Sequence, residues 1–361
     1  MTTRCIALLG RKDEPTDAVE EYCHYLGKAL EAHGIQLEIR RLPWEIQGWP
    51  TALNELRLSA MKWRDTWVLV QYTALAWSFR GFPQKLGRAL KILKAADAQI
   101  GVVFHDVEPY SGTRLVDSVR RFAQLRAMRR ALSCSDLAVF TVPPEKISWL
   151  HNIPSKVTFI PVGPNLPVSS TAAASRRKDE LVTIGIFSIT GGAPGAYETQ
   201  LILSAVRHAS QTLGRIRVCV FGRHAELREV ELRNGLKDLP VELSVEGVAE
   251  PERIVQMLSA CDVLLFVRGG ISSRRSSAIA GIACGLPLIA FSGSETAPPI
   301  TDAGVVLVPP DQPDQLESAL VGVLSDPGYR EDLAARSRAA YLAHFAWTAI
   351  AARFADHLRS R

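Results

Sequence analysis

Short apolar runs alternate with longer amphipathic stretches in the first half of the chain. The run Cys5 to Leu9 predicts a strand, residues 17–33 predict a helix that stops at Gly34, and Leu37 begins a second strand. Strand, loop, helix and strand in this order are typical of a βαβ unit in a parallel sheet. Further strands are predicted by the apolar runs at residues 67–70, 100–104, 137–142 and 157–160. Residues 1–166 therefore predict one doubly wound, Rossmann-like domain.

The same pattern returns in the second half, after a change in composition. Residues 167–180 are rich in Pro, Ser, Thr and Ala and end in a charged patch, which is typical of a linker. From residue 181 to residue 340 strands and helices alternate again, which predicts a second Rossmann-like domain. Residues 341–361 predict a C-terminal helix that crosses back to the first domain. Ligands of open α/β sheets bind at the carboxyl ends of the strands. The expected fold class is therefore α/β, with two doubly wound domains facing a central cleft.

The composition is that of an ordinary globular protein. Of 361 residues, 47% are hydrophobic and 22% are charged, which excludes disorder, collagen and coiled coil. The longest apolar stretch, Ala278 to Phe291, is shorter than the roughly 20 residues that a membrane span requires. The N-terminus lacks the features of a secretory signal, so we expect a cytoplasmic protein, either wholly so or peripheral at the inner membrane face. Six cysteines without a C-x-x-C spacing indicate buried thiols rather than disulfides or zinc ligands.

The net charge of +5 is modest, but its distribution is uneven. One predicted helix region carries six arginines, and it is either a solvated helix face or a surface for anionic lipid or another polyanion. Five of the seven tryptophans lie within residues 44–77 of the N-terminal half, which favours an amphipathic ligand or a membrane contact through that domain. The basic residues are otherwise dispersed, so nucleic-acid binding is not expected. The six arginines are Arg114, Arg120, Arg121, Arg126, Arg129 and Arg130.

Several common motifs are absent from the sequence. It contains no P-loop, no G-x-G-x-x-G after a strand, no H-E-x-x-H and no D-x-D pair. These absences count against P-loop ATP hydrolysis, ordinary dinucleotide redox chemistry and metal-bridged phosphate chemistry. We expect no metal ion and no cofactor.

The most informative segment is the Ser-Arg loop, residues 267–277, between a buried strand and a helix. Its glycines allow a ligand to approach the backbone, its serines offer hydroxyl groups, and N–H groups at a helix start attract anions. Arg274 and Arg275 add charge suited to bidentate phosphate contacts. The segment predicts a phosphate site; the alternative is an ordinary capped helix with exposed arginines.

Two segments of the second half, Cys261 to Phe266 and Ala283 to Ala290, resemble the C-terminal domain of the family 4 glycosyltransferases. The resemblance covers roughly residues 181–358 in order and spacing, and it is looser in the N-terminal half, through 104–106 and 161–165. It implies a GT-B fold, a nucleotide-sugar donor held mainly by the second domain, and metal-independent transfer with retained anomeric configuration. Further matching pieces are 221–222, 245–248, 292–295, 307–313 and 345–347.

The chain departs from the family pattern at its acidic pair. The family carries two glutamates eight positions apart, and here those positions hold Ser272 and Ala280. The Arg and Lys that the family places after the first strand of this domain are also missing. Arg274 and Arg275, with Arg268 or Arg223, are candidates to replace them. The expected donor-binding residues are Ser188, Gly191, Gly192, Arg223, Arg268, Gly269, Gly270, Ser272, Ser273, Arg274, Arg275, Ser276 and Glu295.

His105 is the expected catalytic residue. The resemblance implies that it reaches the donor sugar across the cleft, and the alternative is a structural histidine. In a retaining front-face reaction the leaving phosphate can take the acceptor's proton, so no protein base is required. The acceptor side is expected to include Arg11, Lys12, Asp17 and Tyr72, although a solvated helix start and a buried core aromatic are the alternatives.

The sequence therefore predicts a glycosyltransferase that moves a sugar from a nucleotide-sugar to a glycan or lipid-linked acceptor. One alternative is a catalytically degenerate GT-B protein that serves as a binding partner, which the missing glutamates favour. Another is a GT-B nucleotide-sugar epimerase.

Overall fold

The computed structural model of the protein describes residues 3–14, 16–168 and 181–359. The chain folds into two compact units. Unit 1 comprises Met1–Pro161 and Trp347–Arg361, and unit 2 comprises Val162–Ala346. Of the predicted linker at 167–180, residues 169–180 lie outside the described residues.

Unit 1 is built on a six-stranded parallel sheet with the order β2-β1-β3-β4-β5-β6. Most strand residues are buried, as expected when helices cover both faces of a parallel sheet. The strands are β1 (Thr3–Leu9), β2 (Ile35–Arg41), β3 (Trp67–Tyr72), β4 (Gln99–Phe104), β5 (Leu137–Phe140) and β6 (Val157–Phe159). The helices are α1 (Ala18–Leu30), α2 (Trp44–Gln47), α3 (Trp49–Ala60), α4 (Leu86–Ala95), α5 (Leu115–Cys134) and the C-terminal α12 (Trp347–Arg359).

The C-terminal helix α12 packs against α1 within unit 1. Trp347 stacks on Tyr25 with ring centroids 5.6 Å apart, and its ring lies edge-on to Tyr22. At the other end of α12, the indole N–H of Trp67 donates to the carbonyl oxygen of Leu358 at 3.1 Å. These interactions make α12 part of the unit that the first 161 residues form.

Unit 2 contains a second six-stranded parallel sheet, with the order β12-β11-β10-β7-β8-β9. Its interior is an aliphatic core between the sheet and its helices, which includes Ile184, Val218 and Leu265. The strands are β7 (Thr183–Phe187), β8 (Ile216–Phe221), β9 (Val241–Glu246), β10 (Val263–Phe266), β11 (Leu288–Phe291) and β12 (Val305–Val308). The helices are α6 (Gly192–Leu213), α7 (Glu229–Leu236), α8 (Pro251–Ser259), α9 (Ser276–Ala283), α10 (Gln315–Ser325) and α11 (Pro327–Ala340).

Helix α6 begins at Gly192, shortly after the end of β7. The segment Gly192 to Gly195 has the composition of a loop, but it forms the first turn of the helix. Pro194 is tolerated there because the N–H groups of a first turn have no intrahelical partner. The Gly-rich segment after β7 is therefore a helix N-terminus rather than an extended loop.

All six cysteines are free thiols. Four of them, Cys5, Cys23, Cys261 and Cys284, are buried, while Cys134 and Cys219 are half-buried. Cys219 lies on β8, where Ser244 and the charges of Arg217 and Arg253 also act on it. A hydrogen bond with the Cys261 thiol is the main cause that lowers the pKa of Cys219 to about 6, against the opposing effect of burial. Across the described part of the chain, no helix combines the length and apolar character needed to cross a membrane.

Alkylation of the folded protein tests whether Cys219 is a thiolate at neutral pH. Because a thiolate is the nucleophile, iodoacetamide at pH 7 should modify Cys219 before the four buried cysteines, and its rate should rise with pH through a midpoint near 6. Peptide mass spectrometry identifies the modified residue. Cys261→Ala should move the midpoint towards the ordinary value of about 8.5. A wild-type midpoint already near 8.5 would contradict the assignment.

Candidate functional site

The carboxyl ends of β7 and β10 form the centre of the candidate site in unit 2. The chain proceeds from β7 to β8 and β9 on one side, and then returns to build β10, β11 and β12 on the other side. The strand order therefore reverses between β7 and β10. In open α/β sheets this reversal opens a crevice in which ligands bind. The segments that follow the two strands are residues 188–192 and the Ser-Arg loop.

The segment after β7 has an unusual backbone. Ser188 is buried and has a φ of 67°, which costs a non-glycine residue on the order of 1 kcal/mol. Its N–H donates to the Phe221 carbonyl oxygen at 2.7 Å, and its Oγ accepts from the Arg223 N–H at 3.2 Å. A Cβ at Gly222 would lie 2.6 Å from that Oγ, so only glycine fits there. The segments after β7 and β8 are thus held together, with the strained residue between them.

Gly191 and Gly192 start helix α6 at the crevice. Gly191 is the N-cap and has no side chain to bond the first N–H groups of this 22-residue helix. The His224 imidazole lies beside it, 3.3 Å from where a Gly191 Cβ would be. The N-terminus of a long helix with uncapped N–H groups attracts anions through those donors and through the helix dipole.

Arg268 follows β10 on the other side of the crevice. Its Nε atom is buried and forms no hydrogen bond to any residue of the described ranges. Burial lowers the pKa of Arg268, the charge of Glu198 opposes this effect, and the charge of Arg223 adds to it. The Glu198 carboxylate already accepts from the Thr190 N–H at 2.7 Å. The arginines therefore concentrate positive charge beside the start of α6, with a buried donor whose hydrogen bond is unmade.

Arg274 differs from Arg268, because its guanidinium forms an ion pair with Glu295. The guanidinium donates from Nε to Oε2 at 2.7 Å and from a terminal nitrogen to Oε1 at 2.9 Å. The Ser272 hydroxyl donates to the same carboxylate at 3.0 Å. Burial alone would raise the pKa of Glu295, but the bonds from Arg274 and Ser272 hold it below the ordinary value. This bidentate pair joins the Ser-Arg loop to the segment after β11.

Close backbone contact reinforces the same junction. A Cβ on Gly270 would lie 2.8 Å from the Cα of Gly293, so the two glycines let the chain segments touch. Gly269 has a φ of 70°, in the left-handed region that favours glycine. The Ser-Arg loop is therefore shaped by its glycines as well as by its ion pair.

The rest of the Ser-Arg loop leads into α9. Ser272 and Ser273 are buried, and the Ser273 carbonyl oxygen accepts from the Val162 N–H at 3.1 Å. Arg275 is the N-cap of α9 without a side-chain capping bond, and Ser276 is the first helical residue. Ala280 is buried within α9. Of the two positions where the resembled family has glutamates, one thus holds a buried hydroxyl and the other a buried methyl group.

His105 follows β4 in unit 1. Its Nε2 lies 2.8 Å from Oε1 of the buried Gln71, and its ring meets Tyr22 edge-on at 4.9 Å between centroids. A carbonyl oxygen only accepts, so Nε2 carries the proton in this arrangement. Gln71 is itself fixed by donation from Nε2 to the Leu69 carbonyl oxygen at 3.2 Å. The tautomer and orientation of His105 are thereby set, and its catalytic role stays a prediction.

Two residues expected on the acceptor side, Asp17 and Tyr72, make contacts that stabilise unit 1. The Asp17 carboxylate caps α1 by accepting from the N–H groups of Val19 and Glu20, each at 3.1 Å, and it pairs with Arg41 at 3.0 Å. Tyr72 is fully buried, and its ring packs at 5.4 Å from that of Phe104. Asp17 thus caps a helix and also borders the cavity described next, while Tyr72 packs in the core. An acceptor-side role of either residue stays a prediction.

Arg11 and Lys12 line a cavity of about 200 Å³ at the carboxyl ends of β1 and β3. Asp106 lies on its wall and accepts from the Ala74 N–H at 2.7 Å. Arg11 is oriented by Glu45 at 3.8 Å and by the Phe79 ring at 5.7 Å. The cavity carries charges of both signs and is open to a small polar group.

Sequence reasoning did not single out Glu198 and His224 in this site. Glu198 lies inside a helical stretch, where a carboxylate has no distinguishing pattern. His224 comes three residues after the end of β8, and its φ of 63° is visible only in the structure. Among the described residues, no three His, Cys, Asp or Glu side chains are grouped to hold a metal ion.

Comparisons with known proteins support the architecture. The sequence matches no protein-family model, and no curated protein matches it significantly. A glycosyltransferase structure from Rickettsia africae is similar to the chain, with a TM-score of 0.68, 12% identity, and 99% of this chain and 98% of that chain covered. Anabaena Alr3699/HepE in complex with UDP and glucose gives 0.66 at 16% identity, covering 99% and 100%. Sucrose-phosphate synthase from Thermosynechococcus elongatus gives 0.66 at 17% identity, covering 99% and 98%.

These similarities extend over nearly the whole chain. Together with the two six-stranded parallel sheets, they confirm the predicted fold class: two Rossmann-like domains of the GT-B type. At identities of 12 to 17% they establish the fold alone.

Proposed function

We propose that the protein is a glycosyltransferase and that unit 2 binds its nucleotide-sugar donor. The observation that carries the proposal is the buried Arg268 Nε, which lacks a hydrogen-bond partner in the described chain and lies at the strand-order reversal. A buried donor without a hydrogen bond costs free energy, and a phosphate oxygen is a well-suited acceptor for a guanidinium group. The Anabaena structure that contains UDP and glucose supports a nucleotide-sugar as the ligand.

The diphosphate would be bound by three kinds of donor. Arg268 and Arg223 supply positive charge, the uncapped N–H groups at the start of α6 supply directed donors, and the hydroxyls and backbone of the segment after β7 complete the surroundings. This arrangement replaces the Arg and Lys that the resembled family places after the first strand. Arg274 and Arg275 stay predicted donor-binding residues, with Arg274 acting through its pair with Glu295.

The chemistry follows from where charge develops. The bond between the sugar's anomeric carbon and the phosphate oxygen breaks, and the nucleoside diphosphate leaves with an additional negative charge. Preorganised arginines and helix N–H groups stabilise that charge in the transition state, which is how we propose that transfer proceeds without a metal ion. An acceptor hydroxyl forms the new bond on the same face of the sugar, and its proton passes to the departing phosphate oxygen. The anomeric configuration is then retained.

The missing family glutamate has a replacement within the site. Ser272 stands at the position of the first glutamate, and its hydroxyl donates to the Glu295 carboxylate at 3.0 Å. Glu295 belongs to the segment after β11, so a different part of the chain supplies the carboxylate beside Ser272. We propose that Glu295, held ionised by Arg274, accepts hydrogen bonds from the donor sugar's hydroxyls.

Two other functions fit the same fold. A catalytically degenerate partner protein would not need to keep an arginine with a buried, unbonded Nε beside an uncapped helix start. A nucleotide-sugar epimerase would bind the same donor, but it would return an isomeric nucleotide-sugar without releasing the nucleoside diphosphate. The acceptor is proposed to be a glycan or a lipid-linked sugar.

Isothermal titration with UDP in the presence of EDTA tests the diphosphate site. Arg268→Ala should weaken binding about 10- to 100-fold, because charge-assisted hydrogen bonds contribute about 1.5–3 kcal/mol each and 1.4 kcal/mol is tenfold in Kd. Arg268→Lys should recover part of the loss, since it keeps the charge but not the fork geometry. Arg253→Ala, which removes an exposed arginine paired with Glu246, is the matched control and should bind as wild type. An unchanged Kd in Arg268→Ala, with an unchanged melting temperature, would contradict the proposed site.

Comparing UDP with UDP-glucose separates the sugar from the diphosphate. Glu295→Gln should leave UDP affinity within about twofold and weaken UDP-glucose by about 5- to 10-fold, because a neutral amide is a weaker acceptor than a carboxylate. Glu331→Gln, which alters an exposed pair with Arg338, is the control. Equal losses for both ligands would mean that Glu295 only shapes the loop, and equal retention would remove it from the site.

A further inference from the structure

Helices α4 and α5 of unit 1 present an exposed surface that the proposed sugar transfer does not use. We propose that this surface, called the α4-α5 face, docks on membranes that contain anionic phospholipids. The proposal goes beyond glycosyl transfer and does not depend on it. The apolar side chains of the face, its excess of cations and the groove between the two helices each point to this partner.

The first turns of α5 expose large apolar side chains. Leu115 is 91% exposed, Val119 60% and Phe122 67%, and Val116 beside them is 46% exposed. The first three are spaced i, i+4 and i+7, so they form one stripe along the helix. A single exposed apolar residue is ordinary, but a contiguous stripe marks a surface that contacts another apolar phase.

Cations surround this stripe. Together α4 and α5 contain eight Lys and Arg residues but a single acidic residue, Asp117. Asp117 is buried and already pairs with Arg114 at 3.3 Å and Arg120 at 2.6 Å. Within the described chain, seven exposed cations on these helices form no ion pair with a carboxylate, and they are Arg88, Lys91, Lys94, Arg121, Arg126, Arg129 and Arg130.

A groove of about 510 Å³ runs between the two helices. Phe122, Ala123 and Ala127 give it an apolar wall, while Arg126 and Arg130 stand at its rim. The Arg130 side chain lies against Gly87, where a Cβ would come within 2.8 Å of its Cδ. The groove therefore combines an apolar surface with guanidinium groups, which suits the phosphate of a lipid headgroup and the first carbons of its chains.

The apolar and cationic groups of the α4-α5 face together indicate which partner binds there. An anionic bilayer offers phosphates to the cations and hydrocarbon to the stripe, whereas amphipathic surfaces lacking either part bind bilayers weakly. A nucleic acid would satisfy the arginines but leave the exposed Leu and Val side chains without an apolar partner. A second copy of the chain, docked symmetrically, would place the same cations against each other. The α4-α5 face therefore fits an anionic membrane surface best.

Vesicle sedimentation with the full chain tests the proposal. We expect at least about fivefold more protein on phosphatidylcholine vesicles with roughly 30% phosphatidylserine than on phosphatidylcholine alone, and less in high salt. Arg126→Gln/Arg129→Gln and, separately, Val119→Ser/Phe122→Ser should each reduce that binding at least about fivefold. Arg207→Gln/Lys237→Gln removes the same charge from exposed positions of unit 2 and should bind as wild type.

Several outcomes would overturn the proposal. Equal binding to neutral and anionic vesicles, or wild-type binding by the arginine variant, would remove the electrostatic basis. Loss in the arginine variant with full binding by Val119→Ser/Phe122→Ser would mean that the face recognises a polyanion in general, and competition by duplex DNA would then identify a nucleic acid. Displacement by millimolar inorganic phosphate would mean a free-phosphate site. All four substituted positions of the face are exposed, and melting temperatures verify that each variant is folded.

Discussion

A half-buried, permanently charged guanidinium with a buried Nε atom is the constraint on which the site in unit 2 depends. The side chain of Arg268 cannot lose its proton, so its charge has to be offset by the groups around it. Glu198 provides part of that offset while it also fixes the Thr190 N–H. The remaining donor capacity, at Nε, points to an anionic ligand. A site that carries unmade hydrogen bonds is less stable on its own, and ligand binding recovers that free energy.

The backbone around this charge is specialised in the same region. Ser188 and His224 both have left-handed backbone angles, and Gly222 between the two segments admits no side chain. Strained residues cluster where a structure must hold donors in one geometry, and here they lie at the reversal of strand order. On the other side of β10, the Arg274–Glu295 pair and the Gly270–Gly293 contact fix the Ser-Arg loop. Strain and ion pairing thus position the same crevice from two sides.

Much of the fold could be predicted from the sequence, because buried parallel strands appear as uninterrupted apolar runs. The apolar runs at residues 67–70, 100–104 and 137–142 correspond to β3, β4 and β5. The start of α6 could not be predicted, since Gly and Pro in a first helical turn have the composition of a loop.

The candidate site could be predicted in part. Its expected location followed from strand ends and glycines, and the Ser-Arg loop lies at the strand-order reversal. The partners of its charges could not be predicted, because Arg274 and Glu295 meet across 21 residues of chain. The burial of Tyr72 could not be predicted either, since a polar aromatic residue at a strand end has the same sequence pattern whether it lines a site or packs in the core.

Hydrogen–deuterium exchange of the full chain with and without UDP tests the central claim most directly. Ligand contacts at backbone N–H groups slow their exchange, so we predict protection in residues 188–193, 222–224 and 268–270, with and without EDTA. Protection confined to other segments, or no protection at UDP concentrations that saturate binding, would contradict the placement of the diphosphate at the Arg268 crevice.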